Sequence, residues 1–164
     1  EAGSYATSYI PTSGSAVPRV ADGPTNLSTP QTLSDFTLFW DGILFENGML
    51  FGGGTDSWYI DISAELNRVV LDEVGGRKYI AYDSNLSLNS RIKLALRRNS
   101  GVIDVYVNGT KLTPNSRLTS TTSLTLSSVF WSYDSFNYSK QKAREVKTYS
   151  NALTDAELAK LTTI

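Results

Sequence analysis

Apolar and polar residues begin to alternate at Asp35 and continue to alternate, with breaks, as far as Tyr149. In DFTLFW, Phe36, Leu38 and Trp40 share one side of an extended chain, with Thr37 on the other. SWYIDIS sets Trp58, Ile60 and Ile62 against Ser57, Tyr59 and Asp61. RIKLALRR is the clearest strand: Ile92, Leu94 and Leu96 point one way, Arg91, Lys93 and Arg97 the other. IDVYV repeats the pattern with Ile103, Val105 and Val107, and Asn99-Ser100-Gly101 between the two predicts a hairpin. Asn108-Gly109 predicts a second turn before a short KL stretch. Weaker strands are expected near 49–53, 68–74, 78–82, 123–131 and 142–149. One segment, LTDAELAKL, has helical spacing, with Thr154 and Glu157 placed as a capping box and Leu158 and Leu161 on one face. About ten short strands with polar outer faces and one short C-terminal helix predict an all-β, two-sheet antiparallel β-sandwich.

The first thirty residues differ. They hold Pro11, Pro18, Pro24 and Pro30 and few charges. Proline fixes φ and lacks a donor, so the stretch reads as extended chain, neither helix nor central strand. Tyr5, Tyr9 and Ile10 would be wasted on a free linker, so residues 1–30 are expected to form an arm that packs on something. Residues 31–164 then form the domain. A start on Glu1 reads as a processed product or an excised fragment of a longer protein.

Composition narrows the chemistry. The net charge is −1 with no basic block, which leaves no electrostatic footprint for nucleic acid or an anionic membrane. The absence of cysteine excludes disulfides and thiolate metal sites. The absence of histidine excludes Ser-His-Asp and Cys-His catalysis within the chain and His-ligated transition metals. Every apolar stretch is far shorter than a membrane span, so no membrane insertion is expected.

Two stretches in the second half, RIKLALRRNSGVIDVYVNGTKL and FNYSKQKAREVKTYSNALTDAELAKL, resemble the concanavalin A-like, laminin-G-like jelly-roll family. The first is similar to its hairpin ending in Tyr-Val-Asn-Gly (Tyr106 to Gly109). The second is similar to its closing strand and short helix (Asn151 to Leu161). The first half matches only in general pattern. The arm GSYATSYIPTSGSAVPRVAD resembles a connector of bacteriophage tail and tail-fibre proteins that commonly precedes a terminal lectin-like domain. That connector usually ends Thr-Arg-Ala-Ala-Asp; here Pro18-Arg19-Val20-Ala21-Asp22 departs at two positions. The resemblance implies a virion surface protein, with this domain the distal part of a trimeric fibre or adhesin.

The sandwich family includes glucanases that carry Glu-x-Asp-x-x-Glu on one strand, and no such string is present. Asp72 and Glu73 are adjacent and so belong to opposite faces, Asp61 and Glu65 are separated by an expected turn, and Asp41 and Glu46 flank a hydrophobic stretch without period-2 spacing. Sugar recognition needs flat aromatic faces beside acids and amides. VFWSYDSFNY supplies Trp131, Tyr133, Asp134, Asn137 and Tyr138 just after a strand, although Phe130 and Phe136 read as core. GGGTDSWY adds Asp56 and Tyr59, with Trp58 read as core beside Ile60 and Ile62. Laminin-G-like domains often bind calcium, and Asp56, Asp83 and Asp134 fall in expected loops. There is no dense acidic loop, so no metal and no cofactor is expected. Four Asn-x-Ser/Thr strings, at Asn26, Asn85, Asn108 and Asn137, read as chance matches in a Ser/Thr-rich chain. Arg91, Lys93, Arg97 and Arg98 read as a solvated strand face, with lysine discouraging edge pairing.

The expectation is a non-catalytic, lectin-like domain at the tip of a phage tail fibre. It would bind a host surface glycan as a homotrimer joined to an upstream fibre module, in an extracellular, virion-bound setting. Avidity from repeated weak sites would supply attachment. The competing readings are a structural decoration domain that binds only protein neighbours and a polysaccharide depolymerase.

Overall fold

In each of the two sheets a strand from near the start of the domain pairs with one from near its end. The computed structural model describes residues 26–52, 58–63, 68–73, 78–83, 86–114, 124–129 and 141–164. Strands β2 (Phe36–Leu44), β7 (Arg91–Asn99), β8 (Val102–Val107), β9 (Thr110–Lys111) and β11 (Gln141–Tyr149) form a sheet in the order β11-β2-β7-β8-β9. The other sheet runs β1-β10-β3-β4-β5-β6, from β1 (Asn26–Leu33), β3 (Gly48–Gly52), β4 (Trp58–Ser63), β5 (Arg68–Glu73), β6 (Lys78–Asp83) and β10 (Leu124–Val129). Neighbours in both sheets are antiparallel.

The alternation read from the sequence sets the core. Phe36, Leu38, Trp40 and Leu44 of β2 and Ile92, Leu94 and Leu96 of β7 pack in one buried cluster with Leu50, Phe51, Ile60, Ile62, Val69 and Leu126 of the opposite sheet. The molecule is a two-layer β-sandwich, as expected. Both expected turns of the β7–β9 region form. Ser100-Gly101 and Asn108-Gly109 have positive φ at each central residue, which suits two-residue hairpin loops.

β1 lies at the border of the sheet among the described residues and begins inside the stretch read as an arm. Its register against β10 shifts between Asn26 and Gln31, the interval that contains Pro30. A residue without a donor is tolerated at such a border or irregularity. Residues 1–25 lie outside the described residues.

The helix α1 (Asp155–Thr162) starts on the predicted capping box. Glu157 N donates to Thr154 Oγ1 at 3.3 Å, and Thr154 N donates to Glu157 Oε2 at 2.8 Å. It covers a second, small core of Phe39, Ala95, Tyr106 and Leu158 on the outer face of the five-stranded sheet. The two stretches that carry the family resemblance meet there. Gly109 N donates to Thr162 Oγ1 at 3.1 Å, and Lys93 Nζ donates to the Thr163 carbonyl at 2.8 Å.

The reading of Arg91, Lys93, Arg97 and Arg98 as a solvated strand face is corrected at Arg97 and Arg98. β7 is an interior strand between β2 and β8, and Arg97 and Arg98 are both buried. Arg98 continues the inward series of Ile92, Leu94 and Leu96 and donates to the Ser34 carbonyl and Asp35. Arg97 lies on the opposite face, beside the helix, where its charge is paired. Arginine carries its own donors to buried acceptors, which is why polarity alone misplaced it. The expected edge role belongs to β11, a border strand with exposed Lys142, Arg144, Glu145 and Lys147.

Gly42 of β2 has no room for a side chain. A Cβ there would stand 2.5 Å from the Lys142 carbonyl oxygen and 2.5 Å from Trp40 Cζ2. Neither neighbour can move freely, one being backbone and the other a fully buried ring. Gly42→Ala is therefore expected to destabilise the domain by roughly 2–3 kcal/mol, read as a lowered urea midpoint with unchanged slope.

Candidate functional site

Register across the six-stranded sheet places chemistry-bearing residues side by side. Tyr59 of β4 pairs with Asp72 of β5, and Asp72 pairs with Tyr79 of β6. On the other side Tyr59 pairs with Gly52 of β3, Gly52 with Ser128 of β10, and Ser128 with Asn26 of β1. One cross-strand row thus reads Asn26, Ser128, Gly52, Tyr59, Asp72, Tyr79. Its positions alternate with those of the buried Ile60 and Ile62 along β4. Strand spacing of about 4.8 Å puts the two tyrosine positions about 9.6 Å apart, with the aspartate position midway.

Tyr59 was expected from the sequence; Asp72 and Tyr79 were not. Asp72 was considered only as a partner of Glu73. The register separates these two: Asp72 shares a row with Tyr59 and Tyr79, and Glu73 shares one with Trp58 and Lys78. The other expected residues, Asp56, Trp131, Tyr133, Asp134, Asn137 and Tyr138, lie outside the described residues. Asp83, considered for calcium in a loop, is instead the last residue of β6 and pairs with Arg68. Among the described residues no group of three or more acidic side chains assembles to hold a metal ion.

Two carboxylates of the five-stranded sheet, Asp41 and Asp104, are committed to arginines. Arg91 holds Asp41 at both oxygens, Nε to Oδ1 at 2.9 Å and Nη2 to Oδ2 at 2.6 Å. These hydrogen bonds outweigh burial and keep the Asp41 carboxyl below the usual carboxylate range. Arg97 bridges Asp104 of β8 and Asp155 of α1 and donates to the Leu153 carbonyl at 2.8 Å. Lys111 reaches Asp104 at 2.9 Å. Burial pushes the Asp104 carboxyl up, but hydrogen bonds from Arg97 and Lys111 overcome it and leave it lowered. A hydrogen bond from Arg97 likewise lowers Asp155. A general acid needs a proton near neutral pH, and these carboxyls are held ionised. Their arrangement fastens the helix to the sheet and offers no acid–base pair.

No family model and no curated protein matches the chain. Solved structures do. The native heptameric SAP-like pentraxin from Limulus polyphemus matches with a TM-score of 0.65 at 12% identity, covering 89% of this chain and 79% of the pentraxin. The CBM40 of Ruminococcus gnavus IT-sialidase, bound to alpha2,3 sialyllactose, matches with a TM-score of 0.61 at 11% identity, covering 85% of this chain and 96% of that one. Domain 4 of AbnA, a GH43 extracellular arabinanase from Geobacillus stearothermophilus in complex with arabinotriose, matches with a TM-score of 0.61 at 14% identity, covering 79% of this chain and 67% of that one. At these identities the likeness is one of fold, and the chain adopts the jelly-roll β-sandwich these structures share.

Proposed function

We propose that this is a non-catalytic carbohydrate-binding domain whose glycan lands across the row of Tyr59, Asp72 and Tyr79. The observation that carries the reading is the register itself, which sets an acid between two tyrosines on adjacent strands. Tyrosine offers a flat apolar face with a polar tip, and an ionised aspartate accepts hydrogen bonds from sugar hydroxyls. Gly52 is the next position in the row beyond Tyr59. Domains of the same fold with sialyllactose and arabinotriose bound add support. The resemblance of residues 3–22 to a tail-fibre connector extends the proposal: the domain stands at the tip of a phage fibre, outside the cell, and several copies, three in a trimer, engage a host surface glycan together.

The test is a glycan array followed by calorimetry, with arabinotriose and sialyllactose among the probes. Tyr59→Ala and Tyr79→Ala are each expected to weaken binding of a retained glycan about tenfold, the scale of one lost aromatic contact. If both variants bind normally while Trp131→Ala or Tyr133→Ala abolishes binding, the site moves to the loop after β10. Retention of no glycan by the trimer would favour a structural decoration role. Shortened polysaccharide chains after incubation would make the domain a depolymerase.

A further inference from the structure

Cations distant in sequence converge on the outer face of the five-stranded sheet. β2 lies between β7 and β11, and Ile43 pairs with both Arg91 and Lys142. One row along, Asp41 pairs with both Lys93 and Glu145, and Arg144 sits at the register shift between Ala143 and Glu145. Strand positions two apart are about 9.6 Å from one another, so these side chains share a narrow strip. Lys142 and Arg144 are exposed, and Arg91 and Lys93 are half-buried.

The carboxylates within the strip are already satisfied. Asp41 is held at both oxygens by Arg91 and lies in the field of Lys93 and Arg144. Glu145 pairs with Lys147 at 2.7 Å. Among the described residues no carboxylate pairs with Lys142 or Arg144, whereas Lys93 already donates to the Thr163 carbonyl at 2.8 Å. The chain as a whole is slightly acidic, so this surplus of positive charge is local.

We propose that Lys142 and Arg144, with the half-buried Lys93 adding to the local field, form a second binding face, for an acidic polysaccharide that carries one carboxylate or sulfate per sugar or per repeat. Charge density selects this occupant. Duplex DNA presents a charge every 1.7 Å or so along its axis, and an anionic membrane presents a continuous negative surface. Asp41 and Glu145, interspersed among the cations, oppose both. A polymer with anions spaced by whole sugar rings matches isolated cations set at strand spacing. This face is on the opposite sheet from the row of Tyr59, Asp72 and Tyr79, and it stands or falls independently of that row.

The experiment is electrophoresis of the full chain through gels containing polygalacturonate, dextran sulfate or neutral dextran, with duplex DNA and phosphatidylserine vesicles assayed in parallel. Retardation by at least one acidic polymer and none by dextran is expected, weakening as salt rises. Lys142→Gln combined with Arg144→Gln should raise the apparent Kd about tenfold while the urea midpoint stays unchanged. Tyr59→Ala should leave the retardation intact, which separates this face from the proposed glycan row. No retardation by either acidic polymer, or retardation that survives the double substitution, would overturn the proposal. So would tighter binding to DNA or vesicles than to the polysaccharides.

Discussion

Trp40→Ala is expected to destabilise the domain by about 3–5 kcal/mol, a large share of the stability of a chain this size. Trp40 is fully buried at the centre of β2, flanked in register by Leu94 on one side and Val146 on the other. Truncation removes the largest ring of the inter-sheet cluster. The void cannot close easily, because Gly42 and the β11 backbone hold that part of the sheet close together. Urea unfolding followed by circular dichroism should show the loss as a lowered midpoint. Trp40→Phe provides the internal check. It keeps an aromatic ring and deletes an indole N–H that no acceptor among the described residues reaches, so it should cost only about 1–2 kcal/mol.

Arg97→Met is expected to cost about 3–5 kcal/mol, by a different route. The change preserves much of the apolar stem but leaves Asp104, whose side chain is 15% exposed, with Lys111 as its remaining cation. The Leu153 carbonyl loses its donor, and α1 loses the tie through Asp155. Acid titration distinguishes this from a simple packing loss. Asp104 and Asp155 are both lowered from an ordinary value near 3.8 in the folded protein. A depressed carboxyl pKa stabilises the fold above the unfolded value, and that stability is lost as pH falls through the folded value. Wild type should therefore lose stability progressively below about pH 4. The variant, having less to lose, should show a shallower decline, so the gap between them narrows from pH 7 to pH 3. A constant gap across that range would count against the ion-pair account.

What could be read from the sequence was local. The hairpin from Arg91 to Val107 announced itself by strict alternation around Asn99-Ser100-Gly101. The terminal helix did so through Thr154 and Glu157, whose side chains act within one turn. The cross-strand row was not legible, because periodicity assigns a residue to a face without saying which strand lies beside it. Tyr59, Asp72 and Tyr79 come together only through the order β4-β5-β6 and its register. The same gap hid the basic strip, since Arg91 and Lys142 are joined only by the position of β2 between their strands. Arg97 and Arg98 show a second limit. Their polarity suggested solvent, but each finds a carbonyl acceptor on its own side of the sheet. Asp83, placed in a loop by its neighbours, is held in β6 by pairing with Arg68.

The pairing of β11 with β2 also bears on how the chain is made. Tyr149 lies opposite Thr37, so one whole side of β2 has no partner strand until the residues around Tyr149 have emerged from the ribosome. During synthesis that strand offers a row of unpaired amides beside a hydrophobic face, the kind of surface that invites mispairing with another nascent chain. Contacts of such long sequence separation also slow folding once the chain is free. Late closure by β11 and α1 therefore leaves this strand unprotected through most of the synthesis of the domain.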